Sequence, residues 1–251
     1  MARIENSIYF VSDVHLRPYA PDGKEVEKRF LSFLEERVST DGAALFLLGD
    51  IFDFWYEYKY VIPRGYTRVL GALARLSDSG VKIYFAKGNH DIWLYDYFQS
   101  EIGAKVIEST CTLTLFDKKF IVGHGDGLGK TDASFRFLRW LFRNPVLQTL
   151  FGTIHPRWAM WAGFRWSAHS RSMKAGQYEA PEIASLPIAS YLMKDESAKD
   201  ADYAVFGHYH IPGSVMLGQR LRLFILGDWS AGCEYLCYTN DSQGPQLLKW
   251  Q

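Results

Sequence analysis

Apolar strand-like runs alternate with amphipathic helical stretches from Ser7 to Ala86, and few architectures accept that order. Residues 7–11 form a short apolar run bounded by polar residues, as a buried strand requires. Over 24–38, Val26, Phe30, Phe33, Leu34 and Val38 recur at three- and four-residue steps, which places them on one helical face. A second apolar run covers 43–48. A second stripe of Val69, Leu70, Leu73 and Leu76 closes at Gly80, and a third run fills 81–86. Strand, helix, strand, helix, strand predicts right-handed crossovers and a largely parallel sheet, hence an α/β fold.

Beyond Ala86 the expected elements are β segments at about 105–116 and 119–123, aromatic-rich helices over 132–167 and a helix over 181–195. Strands then follow near 202–206, 214–217, 221–226 and 234–239. No repeat or long linker interrupts the chain, so residues 1–251 read as a single domain with a helical insert at 132–178. Of the 251 residues, 48% are apolar, enough for a sizeable core and too many for disorder. Three cysteines, Cys111, Cys233 and Cys237, are too few for a disulfide framework and fit a reducing compartment. No secretory leader is expected at the start, and no apolar run is long enough to cross a bilayer.

The chemistry-bearing residues sit where the strands stop. Asp13 and His15 follow the first run, Gly49-Asp50 the second and Gly88-Asn89-His90-Asp91 the third. Gly123-His124 and Gly207-His208-Tyr209-His210 follow later runs. These clusters hold five of the seven histidines. Ligand sites in open α/β sheets gather at the carboxyl ends of strands, so the clusters should converge. Singly, Asp-x-His reads as a helix cap and Gly-Asn-His-Asp as a turn. Jointly they supply hard oxygen and borderline nitrogen donors without thiolate, a set suited to Mn²⁺ or Fe²⁺ and able to hold Zn²⁺ or Mg²⁺. Seven such donors exceed the needs of one ion and fit two, the usual device for phosphate-ester hydrolysis.

The five blocks resemble the calcineurin-like metallophosphoesterase superfamily from residue 7 to about 239. The resemblance implies a four-layer α/β/β/α sandwich. It assigns Asp13, His15, Asp50 and His210 to a first ion, with Asp50 bridging, and Asn89, His124 and His208 to a second, Mn²⁺ being the first choice of metal. It makes His90 the group that stabilises the transition state or protonates the leaving oxygen, with Asp91 orienting its imidazole. It also implies in-line attack on phosphorus by a hydroxide held between the ions.

Ser12-Asp13-Val14-His15-Leu16, Gly49-Asp50-Ile51-Phe52-Asp53-Phe54-Trp55, His124-Gly125-Asp126 followed by Asp132, and Leu226-Gly227-Asp228-Trp229 are similar to UDP-2,3-diacylglucosamine diphosphatases. That likeness implies cleavage of the substrate's pyrophosphate to UMP and 2,3-diacylglucosamine 1-phosphate in lipid A synthesis. The chain departs from the best-known members in carrying His90 where they have Arg. Asn89, His90, Asp132, Arg171 and Lys174 are the candidate substrate contacts.

Total charge is balanced at 28 basic and 28 acidic residues, yet no acidic residue lies between Asp132 and Glu179. Arg136, Arg139, Arg143, Arg157, Arg165, Arg171 and Lys174 fall inside, together with four of the eight tryptophans. Arg136, Arg139 and Arg143 share a helical face, with Phe135, Leu138, Leu141 and Phe142 on the others. Basic, Trp-rich amphipathic helices suit a membrane interface, and a crevice between them can hold acyl chains. The expected partners are thus an acylated nucleotide sugar and the cytoplasmic face of the inner membrane, without nucleic acid or an obligate protein partner. Two other readings stay open: a phosphodiesterase or nucleotidase with an apolar lid, and a catalytically silent scaffold.

Overall fold

The computed structural model describes residues 7–174, 181–240 and 243–251, with side chains omitted beyond residue 168 in the helix ending at Lys174. Chain order begins β1 (Ser7–Val11), α1 (Gly23–Ser32), a π-helical turn Phe33–Val38, α2 (Ser39–Asp41), β2 (Gly42–Leu47), α3 (Thr67–Asp78), β3 (Lys82–Ala86), α4 (Tyr97–Ser100) and β4 (Lys105–Ile107). There follow β5 (Thr110–Leu115), β6 (Lys118–Gly123), α5 (Ala133–Arg143), α6 (Pro145–Gly152), α7 (Pro156–Lys174) and α8 (Pro187–Leu192). The chain ends with β7 (Tyr203–Phe206), β8 (Gly213–Leu217), β9 (Leu221–Ile225), β10 (Glu234–Thr239) and β11 (Gln246–Lys249).

Two sheets stack face to face. The first has strand order β11-β10-β1-β2-β3-β4, the second β5-β6-β7-β9-β8. β1 to β4 run parallel, as do β6, β7 and β9. Strand alternation explains the layering. Ile8, Phe10, Ala44 and Phe46 point inward against Phe120, Val122, Val205 and Phe224 of the second sheet. Tyr9, Val11, Leu45 and Leu47 point outward, where α1 and α3 cover them with Val26, Phe30, Val69 and Leu73. On the far side Ala204, Phe206, Leu223 and Ile225 receive Ile188 and Leu192 of α8. Strands buried on both faces must be apolar throughout, which is why these runs stand out in the sequence. Helix, sheet, sheet, helix is the expected four-layer order.

Two expectations need correction, for 105–116 and for 181–195, and two details are added to the rest. The segment 105–116 is two strands, β4 in the first sheet and β5 in the second, so the chain changes sheets at Glu108 and Ser109. The helical stretch 132–167 is three helices, because Pro145 and Pro156 each begin a new one. Asn144 caps the second, its Oδ1 accepting from the amides of Val146 and Leu147 at 3.0 and 3.2 Å. The helix expected over 181–195 shrinks to a 3₁₀ turn Ile183–Ser185 and α8, since Leu186 before Pro187 is forced to an extended ψ of 144°. Finally β11, a four-residue edge strand, had no apolar run to announce it.

Candidate dinuclear metal centre

Parallel pairing puts the carboxyl ends of β1, β2 and β3 on one side of the first sheet, and those of β6 and β7 on the matching side of the second. All five residue clusters therefore meet. The backbone must turn sharply as it leaves each strand: Asp13, His15, Asp50, His208 and His210 all adopt positive φ, between 48° and 70°. That region costs a non-glycine residue energy, and such strain gathers where a site demands it. Gly88 is required for a different reason: a Cβ there would lie 2.2 Å from Asp50 Oδ1.

Asp13 Oδ1, His15 Nε2 and His210 Nε2 form a triangle with edges of 3.0, 3.4 and 3.8 Å. Asp13 Oδ1 and His15 Nδ1 are buried without a hydrogen bond of good angle. Beside them, His124 Nε2 lies 3.3 Å from both Asp50 Oδ2 and Asn89 Oδ1. Neighbouring donors around an octahedral cation with bonds of about 2.1 Å are separated by about 3 Å, so both groups have the spacing of ligands. The outer contacts fix which ring nitrogen faces inward. His124 Nδ1 donates to the Leu48 carbonyl at 2.9 Å, and His210 Nδ1 lies 3.2 Å from Asp228 Oδ2. Both arrangements leave Nε2 toward the centre, the usual outer support of a metal-binding histidine. His208 joins through its ring, 5.1 Å from that of His124, and its amide donates to Asp13 Oδ2 at 3.0 Å. The donor set and spacing fit two divalent cations.

The electrostatics agree. Burial opposes charge on His124, yet the Asp50 carboxylate outweighs it and lifts the imidazole to about 10. Burial likewise opposes His210, and Asp13 and Asp228 lift it to about 10. Burial raises Asp50, but His124 and His90 bring it well below the ordinary carboxylate range. His15, fully buried, is pushed down to about 3. These carboxylates and imidazoles are held for charge compensation, as a cation site demands.

Asp91 is the expectation that fails. Its carboxylate accepts from four main-chain amides: Asp50, Gly88, Ile51 and Phe52, at 2.8–3.3 Å. It ties the loop after β3 to the loop after β2 and does not orient His90. Burial, then the Asp50 charge, lift it to about 7. His90 Nδ1 instead meets the Asp53 carbonyl at 2.9 Å and Ser167 Oγ at 3.0 Å, while its Nε2 lies 4.0 Å from Asp50 Oδ2. Asp132 stands exposed at the start of α5 and does not line the cavity described next. The side chains of Arg171 and Lys174 lie outside the described residues.

A cavity of about 340 Å³ opens directly off the centre beside Asn89, His90 and His208. Its walls are mostly apolar, including Phe54, Trp93, Phe135, Leu138, Phe142 and Trp166. Arg139 also lines it. Arg139 Nη1 donates to the Asp126 carbonyl at 2.6 Å, pinning α5 to the loop that carries His124. The aromatic residues after β2 and β3 carry the insert: Trp93 Nε1 donates to the Phe142 carbonyl at 3.1 Å and its ring stacks on Phe151. Tyr56 donates to the Gln148 carbonyl at 2.8 Å. Asp53 and Asp228 have roles that the sequence does not announce, although Asp53 lies three residues after Asp50 and Asp228 follows Gly227 at the end of an apolar run. Ser167 carries no local signal, lying 77 positions from its imidazole partner.

The family model for calcineurin-like phosphoesterases matches residues 7–212. The chain belongs to that family. Calcineurin-like phosphoesterases of this kind are hydrolases with a dinuclear metal centre. Similar proteins include a UDP-2,3-diacylglucosamine hydrolase of Porphyromonas gingivalis, 38% identical over 90% of this chain and 91% of its own length. Proteins of the same name from Stenotrophomonas maltophilia and Chromohalobacter salexigens are each 30% identical. They cover 88% and 96% of this chain, and 90% and 96% of their own. Among the described residues, no helix is long and apolar enough to cross a membrane.

Proposed function

We propose that this phosphoesterase hydrolyses the pyrophosphate of UDP-2,3-diacylglucosamine to UMP and 2,3-diacylglucosamine 1-phosphate, with residues 132–178 serving as a lid on a single domain. The observation that carries the reading is the junction of two chemistries at His90. On one side stand the clustered carboxylates and imidazoles, and on the other the apolar cavity beneath α5–α7. A phosphodiester with a neutral soluble leaving group needs no such cavity. An acylated sugar phosphate does. The names of the curated relatives support the same substrate.

Asp13, His15, Asp50 and His210 would hold one cation and Asn89, His124 and His208 the other, with Asp50 between them and Mn²⁺ as the working metal. A bound pair of this kind supplies Lewis acidity toward the phosphate oxygens and makes water a competent nucleophile near neutral pH. The chain's own part is positional. Asn89 and His90 project from the loop after β3 into the mouth of the cavity, where the phosphate must lie. His90 Nε2 faces that point and is placed to give its proton to the departing phosphate oxygen. The walls of Phe54, Trp93 and Trp166 exclude water from the acyl side.

The lid's outer surface supports docking at the cytoplasmic face of the inner membrane. Phe137, Trp140, Trp158 and Trp161 are each more than half exposed, and Arg157 and Arg165 lie over the Trp158 and Trp161 rings. Indole rings backed by arginine belong at a lipid headgroup layer. Phosphorus NMR of the products tests the chemistry: UMP and a sugar 1-phosphate signal are expected from UDP-2,3-diacylglucosamine. The deacylated analogue should lose most of kcat/KM. Equal turnover of both would favour a general nucleotide phosphodiesterase instead.

A further inference from the structure

The lid also reaches the catalytic histidine. Ser167 belongs to α7, 2% exposed, and its Oγ donates to Asp53 Oδ1 at 2.7 Å while lying 3.0 Å from His90 Nδ1. The Asp53 carbonyl, 2.9 Å from the same Nδ1, can only accept, so Nδ1 carries the hydrogen. The serine hydroxyl has its own proton committed to the Asp53 carboxylate and therefore presents an oxygen lone pair to Nδ1–H. Two acceptors on one side of the ring fix both its tautomer and its plane, leaving Nε2 toward Asp50 and the mouth of the cavity. One of those acceptors comes from the core loop after β2. The other comes from the lid.

We propose that Ser167 is a positioning residue for His90, so that the lid serves the chemistry as well as covering the acyl side. The inference rests on the role given to His90 above, and Ser167 itself touches no reacting atom. It explains why a histidine at this position is paired with a small hydroxyl residue on α7: a longer side chain at 167 would displace the imidazole. Asp53 takes part twice, through its carbonyl on His90 and its carboxylate on Ser167, which makes the serine's orientation depend on the same loop that carries Asp50.

The test compares Ser167→Ala and Ser167→Thr in the full chain. The tautomer of His90 is read from nitrogen NMR of protein loaded with Zn²⁺, which is diamagnetic. Native protein should keep a hydrogen on Nδ1 throughout, as the only neutral tautomer and in the imidazolium form whose Nε2 proton goes to the leaving oxygen. Ser167→Ala should mix the two tautomers and lower kcat about ten-fold with KM nearly unchanged, the size of effect expected when an orienting partner is lost. Ser167→Thr, which keeps the hydroxyl, should restore the native tautomer pattern. Melting temperature and metal content, unchanged in Ser167→Ala, exclude simple unfolding. A His90 ring with native tautomer in Ser167→Ala overturns the proposal, whatever the activity. If native protein fails to cleave UDP-2,3-diacylglucosamine, the substrate reading falls, while the nitrogen spectrum still decides the role of Ser167.

Discussion

Asp50 is the residue on which the centre turns, since it lies 3.3 Å from His124 Nε2 and receives the His90 amide at 2.8 Å. Replacing it leaves two imidazoles without their counter-charge. Asp50→Ala should abolish hydrolysis and lower the bound metal below two ions per chain, as read by elemental analysis of the purified protein. Acid–base linkage supplies a second prediction. His124 and His210, lifted to about 10, both carry a proton at pH 7, and each must release it to bind a cation. Metal affinity therefore falls as pH falls. Two displaced protons give up to about a hundred-fold weakening per pH unit below 10. His15, pushed down to about 3, is already neutral and adds nothing to the slope above that pH. Calorimetry of the chelator-stripped protein in buffers of different ionisation enthalpy should count about two released protons, and a count of none would refute the linkage.

At the scale of elements, the lid is fastened by aromatic residues that also wall the cavity. Trp93→Ala removes the stack on Phe151 and the bond to the Phe142 carbonyl. It should cost about 3 kcal/mol where the insert packs, and α5–α7 should exchange amide hydrogens faster while β1–β3 stay protected. Most core elements were legible because doubly buried strands are apolar runs and α1 and α3 carry clean stripes. The centre was legible too, because strand ends punctuated by Asp, Asn and His leave few alternatives. What escaped has a common cause: it depends on contacts distant in sequence. Asp91 looked like a partner for its neighbour His90, but four main-chain amides of two loops needed an acceptor and took its carboxylate. Arg139, on a helical face with Arg136 and Arg143, is drawn inward by the Asp126 carbonyl, a partner 13 positions away. β11 has no periodicity of its own and forms by adding to β10.

For the molecule as a whole, the acid-free insert and the exposed indoles predict binding to anionic vesicles. Co-sedimentation should be strong at low salt and weaken as added salt screens the arginines. Trp140→Ala with Trp158→Ala should reduce it at every salt concentration without altering turnover of substrate presented in detergent. A chain that stays in the supernatant at low salt would confine the lid to the acyl-binding role.

Asp13, His15, Asp50 and Asn89 hang from the first sheet, whereas His124, His208 and His210 hang from the second. Any cation gripped by both sets rivets the halves of the sandwich together at one rim, adding to the hydrogen bonds from His208 to Asp13 and from His124 to Leu48 that already cross it. Chelation should then do more than stop turnover. It should lower the melting temperature and open the seam between β1 and β7 to solvent, and re-adding divalent ion at a hundred times its dissociation constant should return about 2.7 kcal/mol.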